Sequence, residues 1–69
     1  MVTIFVRTVN KKGEVSDPAI CASEPVRKDA EAWLNKLVEQ YKPASGYDPE
    51  QDYWWIRNND MVSRYTIGS

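Results

Sequence analysis

Tyr53, Trp55 and Arg57 alternate along the stretch YWWIR, and Arg64 follows in the next β-rich run. Side chains at period-2 spacing share one face of a strand. Aromatic rings and guanidinium groups on one face can stack on peptide side chains, on nucleobases or on each other. Trp, Tyr and Arg also dominate the residues that carry binding energy at protein interfaces. The plainer reading is a self-contained cation–π pair, with Arg64 laid over Trp55 and its stem covering the ring.

Catalytic chemistry is poorly supplied. Cys21 is the only cysteine and the chain has no histidine, so the thiol has no imidazole to activate it. A buried or half-buried structural thiol is expected. The usual zinc and copper sites lack their ligands. Asp48, Glu50 and Asp52 put carboxylates at alternate positions beside a turn. They lack the glycine and terminal glutamate of a calcium loop, so a solvated acidic loop is expected. No glycine-rich phosphate loop occurs, and turn chemistry accounts for Asn58, Asn59 and Asp60. No enzymatic activity, cofactor or metal is expected.

The remaining composition bounds the function further. The formal net charge is −1, which argues against a general clamp on duplex nucleic acid and equally against a nucleic-acid mimic. Residues 1–12 carry Arg7, Lys11 and Lys12 without an acid, while residues 43–53 carry Asp48, Glu50 and Asp52 without a base. The two ends of the molecule are therefore expected to differ in sign. Apolar residues make up 42% and charged residues 28%, outside the regime of disordered chains. No apolar run approaches the ~20 residues a membrane helix needs. The opening MVTIFVRTVNKKG has no basic segment ahead of its apolar run, unlike a signal peptide. With a free thiol, the expected location is the cytoplasm.

Those residues need a scaffold, and 69 residues allow one small domain. A chain of this size buries only about 60% of the surface its unfolded form exposes. Its core supplies about 3–5 kcal/mol without staples, and no intrachain disulfide can form. Self-association is the obvious supplement.

The positioning elements follow from periodicity. VTIFVRTV alternates Val2, Ile4 and Val6 against Thr3, Phe5, Arg7 and Val9, so it reads as a strand. Residues 10–13 turn the chain at Gly13, and EVSDPAICA reads as a poorer second strand. Pro18 cannot donate to a ladder, which makes that strand an edge or partly irregular. Val26, Ala30, Trp33, Leu34, Leu37, Val38 and Tyr41 form an apolar stripe of helical period. Ser23 is the expected N-cap, Pro25 suits the first turn and Pro43 stops the helix. Gly46 is expected to help the chain reverse.

The C-terminal run DYWWIRNNDMVSRYTI reads as a hairpin. A two-residue turn at Asn59-Asp60 or Asn58-Asn59 puts Trp54, Ile56, Met61, Ser63, Tyr65 and Ile67 on one face. Tyr53, Trp55, Arg57, Val62, Arg64 and Thr66 then take the other. A three-residue turn would set Arg64 among Trp54 and Ile56, a poorer core. Trp54 is therefore expected under the helix with Trp33, and Trp55 on the far side.

The expected fold is α+β: a small antiparallel sheet, ββαββ along the chain, with one helix packed on one face. Residues 1–22 form a hairpin, 23–42 the helix, 43–51 a loop and 52–67 the second hairpin. The expected function is a non-enzymatic protein-interaction module, its partner a second copy or another protein. The expected binding residues are Tyr53, Trp55, Arg57 and Arg64. Single-stranded nucleic-acid binding through the same face is the alternative.

Overall fold

The computed structural model describes residues 1–68. In chain order the elements are β1 (Val2–Val9), β2 (Ala19–Glu24), α1 (Arg27–Glu39), β3 (Ser45–Asp48), β4 (Tyr53–Asn58) and β5 (Met61–Gly68). The five strands form one antiparallel sheet in the order β2-β1-β5-β4-β3. The helix packs on one face of it, as expected of an α+β fold. No helix among the described residues is long and apolar enough to cross a membrane.

The longest, most β-branched strands take the middle of the sheet. β1 and β5 run eight residues each and pair from Thr3↔Gly68 to Val9↔Val62. The expected edge strand is found at β2, and Pro18 lies just before it. Ahead of Pro18 the chain still follows β1 irregularly. Val15 bridges Val9, and the Ser16 N–H donates to the Thr8 carbonyl at 2.9 Å. A bulge between Ile4 and Phe5 absorbs the extra residue, Cys21. Cys21 is exposed, not buried or half-buried as expected, because it sits on this outer edge. Partial desolvation pushes its thiol pKa up, the opposite of activation.

The helix is shorter than its sequence signals. Ser23 and Glu24 pair with Thr3 and Val2 in the sheet, so the ladder outcompetes the cap. Val26 takes the N-cap position without a side-chain hydrogen bond. Its stripe contributes Ala30, Leu34 and Val38 to the core, while Trp33 and Leu37 are half-buried along one flank. Val26 and Tyr41, at the two ends of the stripe, overhang the sheet and are exposed.

The residues facing this stripe are Ile4, Trp54 and Ile56, with Tyr65 and Ile67 packed beside them. Trp54 is 3% exposed, and its indole N–H donates to the Asn35 side-chain oxygen at 2.8 Å. A buried indole needs such a partner. Asn35 reads in sequence as a solvent-face residue, yet its exposed position leaves the amide free to bend inward.

Residues 43–51, expected as loop, contain β3. Its four residues pair with β4 from Ser45↔Ile56 to Asp48↔Tyr53. The Ser45 hydroxyl donates to the Val38 carbonyl, satisfying one of the acceptors a helix end leaves open. Gly46 does not reverse the chain but lies within β3, opposite Trp55. A Cβ at Gly46 would come within 3.1 Å of the Trp55 ring, so the indole lies across the glycine. An aromatic ring laid over a strand glycine restores the packing that the missing side chain gives up.

At the far end of the helix, Arg27 holds the β3–β4 turn. Its guanidinium donates to both oxygens of Asp52, at 2.8 and 2.7 Å, and to Glu31 at 2.8 Å. The Tyr47 hydroxyl donates to the same Asp52 at 2.8 Å.

Candidate binding face

The sheet face away from the helix is built in rows by the strand register. One row runs Arg7, Arg64, Trp55 and Gly46 across β1, β5, β4 and β3. Beyond it Ile20, Phe5 and Thr66 pair across β2, β1 and β5, and Tyr53 pairs with Asp48 across β4 and β3. On the other side of the arginine row lie Val9, Val62 and Arg57, beside the hairpin turns. The expected C-terminal register is the observed one: Asn58 pairs with Met61 around a two-residue Asn59-Asp60 turn, and Asn59 has φ 57°. Positive φ at the first of the two turn residues alone occurs in hairpin turns of the II′ kind, and Asn tolerates it.

All four expected site residues lie on this face, but they do not form one cluster. Arg64 stacks over Tyr53, with its guanidinium carbon 5.2 Å from the ring centroid. That corrects the expected pairing with Trp55, its direct cross-strand partner. The Trp55 ring is drawn the other way, over Gly46, which leaves the diagonal neighbour Tyr53 to receive the cation. Arg57 is exposed opposite Val62, a row nearer the hairpin turn.

Arg7 and Phe5 belong to this face as well. Arg7 sits directly opposite Arg64. Phe5 leans along the sheet, and its ring stands 2.9 Å from where a Cβ of Gly68 would be. A groove of about 570 Å³ opens between β1 and β4 with β5 along its floor. Phe5, Val15 and Pro18 line one side and Tyr53 the other. Arg7 and Arg64 border the same groove. Period-2 alternation assigns Phe5 and Arg7 to one face of their strand. Their meeting with Tyr53 and Arg64 depends on β5 pairing with β1, a long-range contact with no local signature.

The charges are distributed unevenly. Among the described residues the ion pairs are Arg27–Glu31, Arg27–Asp52 and Lys42–Glu39, so Arg7, Arg57 and Arg64 stand in none. Asp48 is the acid of the open face, at its β3 corner. Its carboxylate accepts the Glu50 and Gln51 N–H groups at 2.9 and 3.3 Å. The Asp52 carboxyl is held below its ordinary pKa, first by the Arg27 hydrogen bonds and then by Tyr47. The acidic loop is thus partly a structural clip. Its residues are not gathered for a metal, and no group of three or more candidate ligand side chains occurs among the described residues.

No family model matches the chain, and neither a curated protein nor a solved structure shows significant similarity to it.

Proposed function

We propose that the protein is a small non-enzymatic binding module whose open sheet face takes a protein partner, a second copy included. One observation carries this reading: the helix covers one face, while the other keeps part-exposed rings of Phe5, Tyr53 and Trp55 beside arginines without acid partners. Aromatic and arginine side chains at the centre of a flat or grooved patch are the usual carriers of protein-binding energy. Such a small core also gains most from association.

Single-stranded nucleic acid is the second reading, favoured by the row that puts Arg7 and Arg64 beside Trp55. Stacking platforms flanked by cations are how sequence-tolerant strands are held. The Trp55→Ala, Arg64→Ala double variant separates binding from folding. It should lose association, by sedimentation for the self-pair and by pull-down for other proteins. Its stability should fall by about 1 kcal/mol or more, since Trp55 also covers Gly46, so association is compared under conditions where both proteins are folded by circular dichroism. Equal association of variant and wild type would remove the open face as the binding surface. A binding constant that falls steeply with salt would favour the nucleic acid.

A further inference from the structure

Resting on the reading that the open face binds a partner, we infer that its groove takes an extended peptide segment with acidic side chains at one end and apolar side chains at the other. The acidic end lies over Arg7 and Arg64.

The first observation is the register. Arg7 and Arg64 are direct cross-strand partners, which places their Cβ atoms about 4.5–5.5 Å apart, and like charges so placed repel. Arg57 stands on the diagonal from Arg64. None of the three has an acid partner. A carboxylate entering between Arg7 and Arg64 would turn a repulsive pair into a two-sided clamp. Arginine forks suit this task, because they meet carboxylates with paired, charge-assisted hydrogen bonds.

The second observation is the polarity along the groove. One row beyond the arginines, about 7 Å along the strands by the strand rise, the lining becomes apolar at Phe5 and Tyr53. Pro18 lines the groove beside β1, and Val15, which bridges Val9, lines it on the other side of the arginine row. The Tyr53 end carries Asp48 and leads into the turn that holds Glu50, while Asp52 is turned to Arg27 at the rim of the covered face. From β5 across β4 to β3 the face therefore passes from Arg64 through Tyr53 to Asp48.

That gradient decides between a peptide and a nucleic acid. A single strand carries a phosphate at every nucleotide and would set some of them against Asp48 and the acidic turn. A peptide can confine its acids to one end. Both backbone edges of β5 are already used by β1 and β4. The segment is accordingly held by side chains across the sheet face and not by adding a strand.

The test uses fluorescence anisotropy of dye-labelled probes on the full chain. The probes are a short peptide with a glutamate block followed by a leucine–valine block, the same peptide in the reverse direction, a version of each with glutamine for glutamate, and an oligothymidylate. One direction of the acidic peptide should bind, and glutamine replacement should weaken it by about tenfold or more, the scale of a lost charge-assisted hydrogen bond. Arg7→Gln should weaken it comparably while its denaturation midpoint stays level or rises. Lys12→Gln, which removes a cation from the hairpin turn, should leave it unchanged.

Equal weakening by Lys12→Gln would overturn the clamp, since general charge would then suffice. Tighter binding of oligothymidylate than of either peptide would overturn the peptide in favour of nucleic acid. Saturation by neither peptide up to about 1 mM, a binding energy near 4 kcal/mol, would also overturn it. If the Trp55→Ala, Arg64→Ala variant still loses association in that case, the open face remains the binding surface and only its ligand is wrong. If association persists, both readings fall.

Discussion

Trp54 and Trp55 are neighbours in sequence and occupy opposite worlds. Trp54 is enclosed by the helix and has its N–H satisfied by Asn35. Trp55 lies half-buried across Gly46, on a face with no second layer. The contrast extends to the charges. At the rim of the covered face, Arg27 is paired with two carboxylates. On the open face, Arg7 faces Arg64 and neither is paired. Unpaired like charges in register are a poor way to stabilise a sheet.

The sharpest way to break this comparison is in the covered layer. Leu34 is fully buried, whereas Leu37 is only partly so. Leu34→Ala should cost about 2–5 kcal/mol, the range for emptying a closed core position. Leu37→Ala should cost clearly less. Urea denaturation midpoints decide it, and a larger loss at Leu37 would mean that the helix is rotated about its axis.

A smaller effect probes the open layer. Gly46→Ala pushes a methyl group into the Trp55 ring at 3.1 Å. The ring must lift, at a cost of about 1 kcal/mol, the low end of overpacking. In a Trp55→Ala background the same change should be neutral or stabilising, since Ala suits a strand better than Gly. Independent, additive effects of the two substitutions would show that the indole does not lie on the glycine.

The two layers were unequally legible in the sequence. The covered face follows from two independent periodicities, 3.6 in the helix and 2 in the strands, and both are local. The two-residue turn then fixed which tryptophan goes inward. Less was legible where local and long-range preferences compete. Ser23 has the chemistry of a cap but is recruited as a ladder residue by Thr3. Gly46 and the prolines around it read as loop, yet β4 offered a free edge and Trp55 supplied the packing that glycine lacks. The Arg7–Arg64 pair was invisible for a third reason. It joins residues far apart in sequence through a strand order that no local pattern encodes.

That pair gives a prediction opposite in sign to the first two. Arg7→Thr removes one of two facing like charges and leaves a residue of high β propensity. The variant should be more stable than wild type by about 0.2–1 kcal/mol, the range for cross-strand pairs. Thermal denaturation at low salt reads it, and the gain should shrink as salt screens the repulsion. A destabilised Arg7→Thr protein would show that Arg7 already has a structural role within the fold. The stability–binding conflict drawn from the open face would then disappear.

The smallest effect concerns the paired arginine, and it follows from pH. Asp52 is held below its ordinary pKa by Arg27 and Tyr47. A group whose folded pKa is depressed adds stability above its unfolded pKa, about 3.9 for Asp. That stability is lost as pH falls through the folded value. Both partners are exposed, with Arg27 and Asp52 side chains 44% and 46% accessible, so solvent screens the pair and the effect is small. Wild type should lose slightly more stability than Asp52→Asn on acidification from about pH 5 to pH 2, a window that brackets the ordinary Asp pKa. Above that window wild type should be the more stable of the two, and in acid the difference should shrink toward zero. The open-face arginines have no such partner, so acid should leave their repulsion in place and Arg7→Thr should keep its advantage at both ends of the range. Superimposable pH profiles for wild type and Asp52→Asn would mean that the Arg27 clip carries no free energy. The covered and open faces would then differ in packing alone and not in how their charges are matched.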